Sequence, residues 1–273
     1  DVQLNSAILE AGGIQQRTDI DPNEFAPYAF VAGIDGIVTI AGDLTIISDN
    51  EFNLLPIGTG EINIGHDLFV TAGLGNNTKV SPFGPAVDEL NVDGNIFLTL
   101  GGDFIFTGDI DVAGDFNVTT GGLIQTANIT SASGITLQSG STITTGNLSA
   151  NGNISLTGIA DEILGLPASI VTGNITSQNG SINVVTNIGD ITLGNLNSMG
   201  AITVDAGHGS TSANAGGDIV IGTIQSSDLR ILGTDNLTLG DTTITHALTL
   251  NFVGAITASN MTSAPDINLT NGS

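Results

Sequence analysis

Between residues 217 and 269 the apolar and polar positions of the chain repeat three times, with a period of 17 to 20 residues. The segment reads GDIVI, GTIQS, SDLRI, then DNLTL, GDTTIT, HALTL, then GAITA, SNMTS, PDINL. Three columns emerge when the lines are stacked: Ile219, Leu237 and Ile256; Ile224, Ile244 and Met261; Leu229, Leu248 and Ile267. Most words carry apolar residues at positions three and five with a polar one between them, the period-two signature of a strand with one buried face. A triplet of such short strands cannot bury its apolar side alone. Successive triplets have to stack, each strand pairing in parallel with its counterpart in the next unit. The pattern predicts an all-β chain folded as a right-handed parallel β-solenoid (β-helix), with three short strands per coil of about 19 residues.

The same columns run back through the chain. Phe104, Ile124 and Ile143 form one, Ile110, Ile129 and Leu148 a second, Phe116, Ile135 and Ile154 a third, and Ile170, Ile175 and Ile182 are answered by Ile191, Leu196 and Ile202. Two stretches break the period and read as loop insertions: the apolar 157–169 and the Gly-, Ser- and Ala-rich 205–216. Further upstream, GIVTI-AGDLTI and GEINI-GHDLFV match at a spacing of 24 residues, which implies wider coils. Residues 1–33 do not repeat. The expected organisation is an N-terminal arm or cap over 1–33 and a solenoid over 34–273, irregular in 34–89 and regular in 90–273. Parallel strands lie about 4.8 Å apart, so ten coils would span on the order of 50 Å. Glycines before many words (Gly108, Gly114, Gly134, Gly152, Gly180, Gly189, Gly200, Gly217) predict positive φ or close backbone approach at the corners.

Composition sharpens this. The chain has 273 residues, 38 of them Gly, no Cys and no Trp, and its only fixed positive charges are Arg17, Lys79 and Arg230 against 27 acids. Outward positions are filled by Thr, Asn, Ser and Asp where helix surfaces would carry Lys, Arg and Glu, so almost no helix is expected. The net charge of −24 excludes nucleic acid, anionic membrane surfaces and acidic polysaccharides as partners, since each needs clustered cations. The absence of Cys removes disulfides and thiol chemistry. No apolar run of 18 residues is present, so no membrane insertion is expected. A chain opening at Asp1 fits an exported product whose signal has been removed, or equally a trimmed chain.

Words such as GDITL at 189–193, GNISL at 152–156 and GAITV at 200–204, recurring at about 19 residues, resemble the β-helical repeats of filamentous-haemagglutinin-like bacterial surface and adhesin proteins. The resemblance covers roughly residues 94–269. It implies an extracellular or cell-surface location and an adhesive or structural role. Members exported by a two-partner system carry Asn-Pro-Asn motifs near the N-terminus; the nearest match here is Asp21-Pro22-Asn23.

Candidate chemistry is sparse. Asp19, Asp21 and Glu24 alternate like the start of a calcium loop but lack its Gly and its distal Glu, so a solvated acidic turn competes with calcium there. Asp109, Asp111 and Asp115 could bridge a cation between coils or form a plain outward acid ladder. His66, His208 and His246 have no ligand spacing, and no other cofactor is expected. Eleven Asn-x-Ser/Thr triplets occur, at Asn76, Asn117, Asn128, Asn147, Asn153, Asn174, Asn179, Asn236, Asn260, Asn268 and Asn271. Asn76, Asn128, Asn174, Asn236 and Asn260 are candidate N-glycosylation sites, while the competing structural role is hydrogen-bonded Asn ladders at the corners. Right-handed β-helices include pectin lyases and polygalacturonases. Three isolated cations cannot serve a uronate lyase, and a hydrolase would need paired carboxylates, for which Asp161 with Glu162, or Asp109 with an acid one coil away, are the candidates. Aromatic sugar platforms are scarce, with one Tyr (Tyr28) and ten Phe.

The expected function is therefore a non-catalytic extracellular structural protein that self-assembles into a surface filament by head-to-tail solenoid stacking or strand addition. The alternatives are a monomeric adhesin rod, a piece of a longer secreted adhesin, and a β-helix carbohydrate-active enzyme. The chain itself is the expected partner, with cell-surface glycans or proteins as further ones. The last strands, with Leu248, Ile267 and Leu269, and the arm, with Val2, Leu4 and Ile8, are the expected assembly residues.

Overall fold

The computed structural model describes residues 2–4, 7–11, 36–48, 60–72, 87–159, 167–207, 217–233, 235–263 and 266–271. Among these residues there are only strands and turns, with no helix. The fold is a right-handed parallel β-solenoid with three strands per coil. By its internal contacts the chain divides into two units, 1–127 and 128–273, each built of the same three-walled coil.

In the first unit one wall stacks Val2–Leu4, Gly36–Ile40, Gly60–Ile64, Val87–Val92 and Asp109–Val112. The second stacks Ala7–Ala11, Leu44–Ser48, Leu68–Ala72, Ile96–Leu100 and Phe116–Thr120, and the third pairs Phe104–Phe106 with Ile124–Thr126. Val2–Leu4 and Ala7–Ala11, within the stretch expected as an arm, are strands aligned with Val38–Ile40 and Leu44–Ser48. The expected 24-residue match appears as Gly36 over Gly60 and Leu44 over Leu68. The next step carries one extra residue: Val87 faces Gly60 while Glu89 faces Glu61, so Asp88 bulges.

The second unit repeats a shorter coil. Its first wall runs from Ile129–Ser131 to Met261–Ser263, its second from Ile135–Ser139 to Asp266–Asn271, and its third from Ile143–Thr145 to Ile256–Ala258. Leu148 and Ile175 are stacked partners although 27 residues separate them, so the register is kept on either side of 160–166, which lie outside the described residues. Thr157, Gly158, Asp205 and Ala206, expected within the insertions 157–169 and 205–216, belong to strands.

Burial follows the period-two pattern closely. Ile135–Ser139 alternates buried and exposed, as do Ile96–Leu100 and Phe116–Thr120 with partial exposure at Asn117. Ile154, Ile182, Ile202, Leu229 and Leu248 lie above one another, each at most 2% exposed. Like stacked on like keeps every coil the same width, so no column forces a void or a clash on its neighbour.

One expected column is corrected. Ile224 pairs with Thr242, and Thr242 with Met261, whereas Ile244 stands beside Ser226. Thr242 is only 2% exposed and its hydroxyl donates to the carbonyl of Gly240 at 3.1 Å, so a threonine replaces the isoleucine without leaving a polar atom unsatisfied. The same device recurs at inward positions next to corners. Ser177 Oγ donates to Gly152 O at 2.7 Å, Ser198 Oγ to Gly180 O at 2.8 Å, and Thr172 Oγ1 to Gly173 O at 3.0 Å. Among the described residues no buried side-chain polar atom lacks a partner.

The glycines act mainly through close approach. Of those expected at corners only Gly189 takes a positive φ, at 130°. A Cβ on Gly217 would strike the Gly189 carbonyl oxygen of the coil before, so this corner is closed to any side chain.

Ile135 is fully buried and paired with Ile154, while its neighbour Thr136 points outward. Ile135→Asp is expected to destabilise the fold by several kcal/mol, since a carboxylate there has no partner. Thr136→Asp should stay within about 0.5 kcal/mol of the parent in urea unfolding. Similar losses at the two sites would contradict the alternation.

Candidate functional site

Three features outside the core carry possible function: corner ladders, an acidic outer wall, and the open last coil. The corners come first because they explain many of the acids and amides. Just before the first-wall strands of the second unit, each side chain accepts the backbone N–H of its counterpart one coil on. Asn128 Oδ1 takes the Asn147 N–H at 2.8 Å, Asn147 takes Asn174 at 2.9 Å, Asn174 takes Asn195 at 2.9 Å, and Asn195 takes Thr223 at 2.9 Å. Another corner uses Asp190 for the Asp218 N–H, Asp218 for Asn236 and Asn236 for Ala255. In the first unit Asp43 serves Asp67, Asp67 serves Asn95 and Asn95 serves Asp115. Corners would otherwise leave N–H groups unpaired between strands, so a short side chain with an acceptor oxygen is the chemistry required.

The candidate glycosylation sites fall on these ladders. Asn128 and Asn174 accept from the next coil as just described. Asn236 Nδ2 donates to Asp218 Oδ1 at 3.0 Å, and Asn260 Nδ2 to Asp241 Oδ1 at 3.0 Å. Asn76 lies outside the described residues.

On the first wall of the first unit, Glu61, Glu89 and Asp109 share one column, and Asn63, Asn91 and Asp111 the next outward one. Asn91 Nδ2 donates to both Glu61 Oε1, at 2.9 Å, and Asn63 Oδ1, at 3.1 Å, which ties one acid and one amide of the preceding coil to this one. Asp115 sits at the adjoining corner on the Asn95 side chain. Among the described residues no three acids or histidines converge as a metal cluster. His66 Nδ1 lies 3.8 Å from Asp43 and His246 Nδ1 lies 3.8 Å from Asp228, each pair exposed and reaching one coil back. His208, Asp161, Glu162 and the calcium candidates Asp19, Asp21 and Glu24 lie outside the described residues. The Asp109–Glu89 pair stands on an open wall. A groove beside it, lined by Thr39, Ile40, Asn63, Asn91 and Asp93, holds a single carboxylate. No helix among the described residues is long and apolar enough to cross a membrane.

The last coil differs from all the others. Ile256–Ala258, Met261–Ser263 and Asp266–Asn271 each pair with the preceding coil and, among the described residues, with no strand on their other edge. Ile256, Met261, Ile267 and Leu269, which continue buried columns, are 44%, 39%, 58% and 63% exposed. Leu248 lies one coil further in, 2% exposed beneath Ile267. In the first unit Val2–Leu4 and Ala7–Ala11 pair on one side only among the described residues. Val2 and Leu4 share the columns of buried Ile62 and Ile64, whereas Ile8 falls in the column of outward Thr45, one step from the core column of Leu9.

The chain matches no protein-family model, no curated protein and no solved structure.

The Asn ladders expected at the corners are present and extend to Asp, whereas the corner hydroxyls could not be located from a single sequence. Asn174→Ala removes one ladder acceptor and is expected to cost about 1 kcal/mol, because the Asn195 N–H loses its partner. Thr144→Ala, on an exposed wall position, should cost under about 0.5 kcal/mol in the same urea titration. Equal effects would mean that the ladder adds nothing to stability.

Proposed function

We propose that this chain is a non-catalytic structural unit of an extracellular, filamentous-haemagglutinin-like type, which stacks head to tail with further copies of itself. The observation that carries this reading is the like-on-like stacking of the coils, in which each strand finds its partners only across its two edges, in the coils before and after it. In the last described coil four apolar column residues, Ile256, Met261, Ile267 and Leu269, stand 44%, 39%, 58% and 63% exposed, where a further coil would cover them. Covering a half-exposed Ile or Leu is worth about 1 kcal/mol or more, so four such side chains favour a covering coil before any backbone hydrogen bond is counted. The two edges differ from each other, and a contact between unlike ends does not close, so the product is a filament.

Three further features support the assignment. Outward positions are mostly neutral and polar, as suits a surface built for solvent; the corner carboxylates are used as backbone acceptors; and the described acids do not converge with histidines into a catalytic or metal cluster. The resemblance of the repeat words to bacterial surface proteins supplies the extracellular location.

Two measurements test the reading. In sedimentation velocity the intact chain should exceed its 27.5 kDa monomer increasingly as concentration rises. Added salt should shift the same balance upward, because a net charge of −24 repels incoming copies until screened over about 8 Å at physiological ionic strength. Ile267→Lys with Leu269→Lys places charge on the exposed column ends without touching a buried residue, and this variant should stay monomeric throughout. An intact chain that remains monomeric at every concentration and salt overturns stacking.

A further inference from the structure

The corner ladders run one way. In each, a side-chain oxygen of the earlier coil accepts a backbone N–H of the later one: Asp43 serves Asp67, Asp103 serves Leu123, Asn128 serves Asn147, Asn153 serves Ser181, Asp218 serves Asn236 and Asp241 serves Asn260. These bonds come from both units and from all three corners, and their direction is the same throughout. The two faces of a coil therefore differ in chemistry. The face towards later residues offers amide and carboxylate oxygens, and the face towards earlier residues offers corner N–H groups.

The last described coil carries such an oxygen at two of its three corners. Asn260 uses its N–H and its Nδ2 on Asp241 of the coil before, at 3.2 and 3.0 Å, and its Oδ1 has no partner among the described residues. Asp266 stands over Ala247, directly before a second-wall strand, the place that Asp43, Asp67, Asn95 and Asp228 occupy in their own coils. Each of those four accepts an N–H from the next coil. At the third corner the ladder ends on Ala255, whose side chain has no acceptor.

We infer that Asn260 Oδ1 and the Asp266 carboxylate are an acceptor site for the corner N–H groups of a second copy of the chain, so that copies add in one direction only. This rests on the head-to-tail reading and names the groups that give it polarity. The occupant follows from continuity, because the same oxygens at the same corners are met by N–H groups of a like coil throughout both units. Two acceptor faces brought together would set oxygen against oxygen, and two donor faces N–H against N–H. Only unlike faces match, which disfavours end-to-end pairs related by a two-fold axis. The charge on Asp266 repels an acidic copy at a distance, yet at contact a carboxylate accepts an N–H more strongly than a neutral amide does.

Asp266→Asn and Asp266→Ala remove the same charge, but only the first keeps the oxygen. Relief of repulsion alone would make the two variants associate alike. In sedimentation velocity Asp266→Ala should instead associate about fivefold more weakly than Asp266→Asn, the worth of one hydrogen bond. Asn260→Ala should weaken the parent by about the same factor. Thr262→Ala, at an outward position of the same coil, should leave association unchanged. Urea midpoints read alongside show that each variant is folded. Equal association of Asp266→Asn and Asp266→Ala, or tighter association of the alanine variant, overturns the acceptor site while stacking stands. An intact chain that stays monomeric at every concentration and salt overturns both.

Discussion

In a parallel solenoid a strand finds no hydrogen-bond partner within its own coil. Every backbone N–H and C=O of a wall is answered by the coil before or after, and the same holds at corners, where Gly152 N donates to Ser133 O and Gly200 N to Gly180 O. This dependence on the neighbour sets the rest of the structure. It demands equal coil widths, hence columns of Ile, Leu and Val stacked on their like. It demands acceptors at corners, hence Asn and Asp ahead of the strands. It also forbids slippage, because a one-residue shift would turn the whole apolar set of a strand outward.

The same dependence accounts for how so acidic a chain tolerates its charge. An aspartate and an asparagine present the same oxygen at the same reach, and the ladders use them interchangeably: Asp67 serves Asn95 and then Asn95 serves Asp115. Substituting one for the other leaves the backbone satisfied while adding a negative charge that accepts an N–H more strongly. A charge at a corner is also the one most open to solvent and counterions. Arg230, the only described fixed cation, lies on an exposed outward position with no ion pair to an acid among the described residues.

The solenoid was legible because its signal repeats. Phe104 over Ile124, Ile129 over Leu148 and Ile191 over Ile219 are each weak hints, yet together they define a register that no helix period could mimic. The reading failed where a polar residue took an apolar place. Ile244 was the obvious heir to Ile224, but Thr242 occupies the site, since its hydroxyl is satisfied locally by a corner carbonyl and pattern alone cannot see that bond. Unequal spacing hid the alignment of the early coils for a related reason: the number of residues between stacked partners varies there, while the stacked positions do not. Phe69 and Phe97 escaped notice because they look like core residues in their words, and only register shows that they face out.

The two routes to assembly, exchange of the N-terminal strands and stacking of intact ends, differ in what they gain. Val2–Leu4 and Ala7–Ala11 are already paired with the coil that follows them in their own chain. Handing them to a neighbour breaks one set of parallel pairs to make another of the same kind, with little net change in hydrogen bonding or burial. Stacking breaks nothing. In the proposed stack a further coil would pair with the outer edge of Asp266–Asn271 and cover Ile256, Met261, Ile267 and Leu269 at the same time. Its cost is the entropy of association and the approach of two acidic ends, of which the second falls with salt. Strand exchange has no comparable gain to set against ordering a segment twice, so the proposed assembly is better served by end-to-end addition than by exchange.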